Sequence, residues 1–125
     1  MRHRALRLPG PQARRRDRDV RGAGDPTHVG VVRFDLHIPL SHSLKEKRAV
    51  VKPIVDGARR RFAVASAETG YLDKWQRAEL GMATVAGEPA HVERVLDGVE
   101  RFVLSFPEVE VVSVERSLSG FDDGE

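Results

Sequence analysis

Residues 28–38 read HVGVVRFDLHI, and their alternation decides the fold. Val32, Phe34, Leu36 and Ile38 interleave with Arg33, Asp35 and His37. A period of two puts the first set on one face of a strand and the second on the other, so the strand has a buried side and a polar side. Pro39 lacks a backbone donor and ends it. Immediately after, Ser43 and Glu46 stand three apart, the signature of a helix N-terminus. Leu44, Val51, Ile54 or Val55, Ala58 and Phe62 then recur at helical spacing. Pro53 falls inside this pattern, where proline removes a backbone bond at a cost of roughly 3 kcal/mol, and predicts a kink or a restart. Arg59, Arg60 and Arg61 close the helix.

Phe62–Ala67 reads as a weak second strand, rich in small residues, followed by a connection over Glu68–Lys74 with Gly70 as its turn residue. Trp75–Val85 reads as a third strand, with Ala78, Leu80 and Met82 inward and Trp75, Arg77 and Glu79 outward. Glu88 and Pro89 open a second helix, proline in its first turn and an acid near its positive pole. Its apolar stripe is Val92, Val95, Leu96, Val99, Phe102 and Val103. Pro107 separates it from a last strand, Val109–Leu118. Strand–helix–strand–strand–helix–strand is the split βαβ, ferredoxin-like order: an α+β sandwich with a four-stranded antiparallel sheet and two helices on one face. Strands one and three are central neighbours in that topology. The open face therefore gathers Arg33, Asp35, His37, Trp75, Arg77 and Glu79, where opposite charges pair across strands.

The 125 residues amount to one domain, placed at 28–118. Residues 1–27 carry eight arginines against three aspartates, a net of +5, with prolines, glycines and few large hydrophobes. Such composition cannot offset its ordering entropy, so this arginine-rich extension is expected to be disordered. It reads first as an upstream extension and second as an arm that binds RNA. Residues 28–125 hold 13 basic and 16 acidic side chains, a net of −3, and lack the strongly basic footprint of a dedicated nucleic-acid-binding domain. Residues 119–125 are expected to fray as an acidic tail. The chain contains no cysteine, which excludes disulfides, thiolate metal sites and cysteine nucleophiles. No apolar run approaches the roughly 20 residues that cross a bilayer, and no secretory signal is visible. A cytoplasmic protein without membrane partners is the expectation.

The segments HVGVVRFDLHIP (28–39), SLKEKR (43–48) and WQRAELGMATV (75–85), in that order and spacing, resemble the YlxP-like family of small uncharacterised bacterial proteins. The resemblance covers about His28 to Leu118. It implies a ferredoxin-like fold and a gene placed among translation and ribosome-maturation genes, between an initiation factor and a ribosome-binding factor. It implies no established activity.

Chemistry-bearing patterns are sparse. The five histidines, His3, His28, His37, His42 and His91, form no metal-ligand spacing. No phosphate-binding glycine loop and no nucleophile elbow occurs. The chain has no asparagine, so an acylphosphatase-like arginine–asparagine pair is not available. Asp35, His37 and Glu79 are the only clustered titratable groups worth testing for catalytic activity. No catalytic residue, metal or cofactor is assigned, and the chain is read as a non-enzyme.

Two basic clusters remain. Lys45, Lys47 and Arg48 sit at the start of the first helix, where cations oppose the helix dipole, and a conflict of this kind marks a candidate anion site. Lys45 and Arg48, three apart, share a face and are its core pair. Arg59, Arg60 and Arg61 lie at the helix C-terminus, where cations are favoured, and form a second RNA-binding candidate. The reading that follows is a non-catalytic accessory protein of translation or ribosome maturation that contacts RNA or a ribosomal particle. The alternative is a small homo-oligomeric scaffold, a dimer, that binds a ligand or protein partners through its open face or its last strand.

Overall fold

A computed structural model of the chain describes residues 27–120. The arginine-rich extension and the last five residues of the acidic tail lie outside them. The described elements are β1 (His28–His37), α1 (Leu44–Phe62), β2 (Ala65–Gly70), β3 (Arg77–Ala86), α2 (Pro89–Leu104) and β4 (Glu110–Gly120). All strand pairings are antiparallel, in the spatial order β2-β3-β1-β4, and both helices cover one face. This is the ferredoxin-like βαββαβ sandwich.

The alternation of β1 places Val32, Phe34, Leu36 and Ile38 wholly in the core. Ala78, Leu80 and Met82 join them from β3, pairing Leu36, Phe34 and Val32 in register. Val51, Ile54, Val55 and Ala58 of α1 and Val92, Leu96, Val99 and Val103 of α2 close the core from above. The helices approach each other through glycine. A Cβ on Gly57 would stand 2.6 Å from the Phe102 ring, and one on Gly98 would stand 2.8 Å from the Phe62 ring. Each helix thus seats the other's phenylalanine on a bare stretch of backbone. On β4, Arg116 points to the helix side and donates to Asp97 (2.8 Å) and Glu100 (2.7 Å) of α2.

Four boundaries differ from those read in the sequence. First, α1 runs through Pro53 without restarting. Pro53 and Ala49, whose carbonyl the missing N–H would have met, are both exposed, so water is available to that carbonyl. Second, β2 begins at Ala65 rather than Phe62. The helix continues to Phe62, and Ala63 then takes a left-handed cap (φ 57°) with its N–H on the Arg59 carbonyl. Glu68, Thr69 and Gly70 are strand rather than connection, with Thr69 as an extra residue in the pairing with β3. Third, β3 starts at Arg77, which leaves Trp75 in the β2–β3 connection and off the open face. Fourth, β4 runs on to Gly120, so Ser119 and Gly120 belong to the sheet, paired with Val29 and His28.

Candidate functional site

The start of α1 is built by its own sequence. Ser43 is extended, and its Oγ accepts from the Glu46 N–H (3.0 Å). Glu46 reaches back, its Oε1 accepting from the His42 N–H (2.7 Å). These two bonds fix the entry of the chain into the helix.

The three cations that follow separate. Lys45 and Arg48 are exposed on the outer side. Lys47 is 1% exposed. Its ammonium donates to the carbonyls of Tyr71 (2.8 Å) and Arg77 (3.1 Å) and pairs with Glu68 (2.8 Å), which is 18% exposed. Lys47 is therefore a structural clamp between α1 and the β2–β3 connection and is not available to an anion. Gln76 performs a matching task, its amide donating to the carbonyls of Pro39 and Ser41 (3.1 Å each).

The second basic cluster also divides. Arg59 donates to Asp56 (3.0 Å) and to the Ser66 carbonyl (2.6 Å), tying the end of α1 to β2. Arg61 lies over the rings of Phe62 and Phe102, 5.8 and 5.1 Å from their centroids. Arg60 is exposed.

What the helix does assemble is a stripe. Lys45, Arg48, Lys52 and Arg59 follow spacings of three, four and seven, which places them within an arc of roughly 60° along about 21 Å of axis. Asp56 sits in that stripe, bonded to Lys52 (2.9 Å) and Arg59. The hydrogen bond from Lys52, with the charges of Lys52, Arg59 and Arg60, holds the Asp56 carboxyl below its ordinary pKa against desolvation. Lys52 was missed by reading cations as consecutive runs. Its signal is positional, seven after Lys45 and four after Arg48.

The open face brings Arg33, Asp35, His37, Arg77 and Glu79 together, and it consumes their charge internally. Arg77 donates to Asp35 (2.6 Å) and to the Tyr71 hydroxyl (3.2 Å). Arg33 pairs with Glu79 (3.3 Å) and with Glu115. His37 meets Glu110 across the β1–β4 pair (2.9 Å). The bond to Glu115, with the charges of Glu115 and Glu79, pushes the Arg33 guanidinium above its ordinary pKa, and the bond to Asp35 does the same for Arg77. A depression of 310 Å³ lined by Arg33, Asp35, Tyr71, Glu79, Ser113 and Glu115 lies over this network. Acids outnumber arginines in it, so it offers no anion site. Among the described residues no group of three or more histidine, aspartate or glutamate side chains is placed to hold a metal ion.

The family described as "Protein of unknown function (DUF503)" matches residues 29–116. The chain belongs to that family. It is similar to the uncharacterized protein YlxP of Bacillus subtilis (strain 168), 46% identical over 82 residues that span 66% of this chain and 89% of that one. Among solved structures it is similar to a de novo designed protein, Foldit4 (15% identity, TM-score 0.46, 74% of this chain and 96% of that one). It is also similar to a C-terminal segment of the alpha subunit of aIF2 from Pyrococcus abyssi (17% identity, TM-score 0.44, 78% and 52%).

In this DUF503 chain two of the three segments that carried the family resemblance, SLKEKR and WQRAELGMATV, meet where the Lys47 ammonium donates to the Arg77 carbonyl. Ser43 caps, Lys47 and Gln76 clamp, and Arg77 anchors Asp35. Four of the motif residues thus lock two connections to one end of the sheet. Lys45, Arg48 and Trp75 are left outward-facing. Among the described residues, no helix is long and apolar enough to cross a membrane.

Proposed function

We propose that the protein is a non-catalytic accessory factor of translation or ribosome maturation that docks on RNA through the outer face of α1. One observation carries this reading: Lys45, Arg48, Lys52 and Arg59 form a single exposed row around one acid, Asp56, while the described residues outside α1 hold six basic and eleven acidic side chains. The helix holds seven basic and two acidic residues, whereas α2 holds two basic and three acidic. A row about 21 Å long matches several consecutive phosphates, each contact displacing a condensed counterion. The link to translation is supported by the gene setting that the family resemblance implies.

The reading is tested by binding to ribosomal RNA fragments and to small ribosomal subunits, with the full chain and with a chain begun at Thr27. Both are expected to bind at low salt, the truncated form more weakly. Binding that disappears with residues 1–26 would move the activity off the folded domain. Absence of binding by either form would overturn the reading.

A second reading has its own observation. The outer edge of β4 is eleven residues long, and Val29, Val31 and Val85 stand exposed on the adjacent end of the open face. Among the described residues that edge has no partner strand, and an edge of that length is a template for a second copy, which supports the homo-oligomeric scaffold. Sedimentation of the chain at micromolar concentration separates the two: a dimer supports the scaffold, and a monomer removes it.

A further inference from the structure

The outer row of α1 offers cations and little else. Between Leu44 and Phe62 the helix contains no serine, threonine, asparagine, glutamine, histidine, tyrosine or tryptophan. Its one aromatic residue, Phe62, packs edge-on against Phe102, with the Arg61 guanidinium over its ring. The row itself is Lys45, Arg48, Lys52 and Arg59, with Asp56 among them. The chain has no asparagine. Of its two glutamines, Gln12 lies outside the described residues, and the Gln76 amide is engaged by the carbonyls of Pro39 and Ser41. Tyr71 and Trp75, the exposed aromatic residues, belong to the β2–β3 connection. Lys47 points to that connection, and it stands roughly 100–160° round the helix from each cation of the row. The row and those rings are separate surfaces.

The row is also held straight. The Ser43 and Glu46 bonds fix the start of α1, and Arg59 ties its end to the Ser66 carbonyl. Asp56 bridges Lys52 (2.9 Å) and Arg59 (3.0 Å). Successive cations therefore stand about 4.5, 6 and 10.5 Å apart along one axis. Elsewhere the described residues are acid-rich, so α1 is the face that approaches a polyanion.

A row of this composition distinguishes forms of RNA. Single-strand capture and sequence reading use aromatic platforms and groups that meet base edges. A flexible single strand would have to be ordered along the row, with no stacked base to offset that entropy. A duplex presents phosphates already fixed in line, and the A-form major groove keeps its base edges out of reach of side chains.

We propose that the α1 row binds the phosphates of one strand of double-stranded RNA without reading its sequence. The proposal deepens the RNA reading of α1 and rests on it: it names the duplex as the form of RNA and the phosphodiester backbone as what is recognised. Duplex DNA offers the same chemistry and is an arm of the test.

The full chain is titrated at low salt with an RNA duplex, a DNA duplex and oligouridine of equal length. Each titration is repeated with Lys45→Gln/Arg48→Gln/Lys52→Gln. Residues 1–26 are common to both proteins, so the factor lost on substitution reads α1. That factor should be about tenfold or more for the RNA duplex and close to one for oligouridine. The loss on the DNA duplex should not exceed that on the RNA duplex. A second RNA duplex, with its A·U and G·C pairs exchanged, should bind within about threefold of the first. Lys74→Gln/Arg94→Gln/Arg101→Gln removes as much charge from other faces and should cost little in any titration. Equal losses on the RNA duplex and on oligouridine would overturn the duplex assignment while leaving α1 as the RNA-facing surface. A wide gap between the two RNA duplexes would likewise overturn backbone recognition and leave α1 in place. A larger loss on the DNA duplex would overturn RNA as the source of the phosphates. No loss on any nucleic acid, or an equal loss in the Lys74/Arg94/Arg101 variant, would overturn the α1 reading and this proposal with it.

Discussion

A lysine ammonium removed from water is costly unless every proton finds an acceptor, and Lys47 finds three: two carbonyls and the Glu68 carboxylate. Its position was legible in part. Lys47 lies four residues before Val51 and seven before Ile54, on the apolar face of α1, and a helical projection points it inward. Its partners were not legible, because Glu68 sits in a strand whose inward positions are Ser66 and Glu68, so polarity hides the alternation there. Lys47→Met should destabilise the fold by about 3 kcal/mol, since it strands a largely buried carboxylate and two carbonyls. Lys47→Met/Glu68→Gln should recover part of that loss. Urea unfolding measures both, and RNA affinity in folded Lys47→Met should match the parent. Trp75 illustrates the opposite failure. Continuing the period of two backward from Ala78 put it on the open face, but β3 begins at Arg77 and Trp75 lies in the connection before it, 54% exposed.

At the scale of the element, amphipathic periodicity located both helices and β1 from their apolar stripes or rows, and it located β4 although Arg116 interrupts that strand's helix-side row and a bulge interrupts its pairing with β1. It misplaced β2, where a helix running to Phe62 and a left-handed cap at Ala63 delay the strand by three residues. Pro53 was overread for a physical reason. The roughly 3 kcal/mol attached to an internal proline is a cost to stability, and packing of Val51, Ile54, Val55 and Ala58 against the sheet holds the helix together across it. If the cost is present but outweighed, Pro53→Ala should raise stability by about 1–3 kcal/mol without changing helical content, as read by urea unfolding and far-ultraviolet circular dichroism. A less stable Pro53→Ala would show that the proline is required for the course of α1.

Across the whole molecule, charge is segregated while the net stays near balance: basic on α1, acid-rich on the open-face network and on α2. The overall balance concealed this in the sequence, where the net excess of positive charge lies in the first 27 residues and α1 shows only as two short basic runs. Folding collects Lys45, Arg48, Lys52 and Arg59 into a row that no consecutive run displays. The most direct measurement is the salt dependence of RNA binding by the chain begun at Thr27, compared with the same chain carrying Lys45→Gln, Arg48→Gln and Lys52→Gln. Each phosphate contact contributes about 0.7–0.9 to the slope of log affinity against log salt. The three substitutions should flatten that slope by about two to three units and leave the melting temperature close to unchanged, because losing the Lys52–Asp56 pair offsets the relief of removing Lys45 and Arg48 from the positive pole of the helix. An identical slope in the two proteins would contradict α1 as the RNA-facing surface.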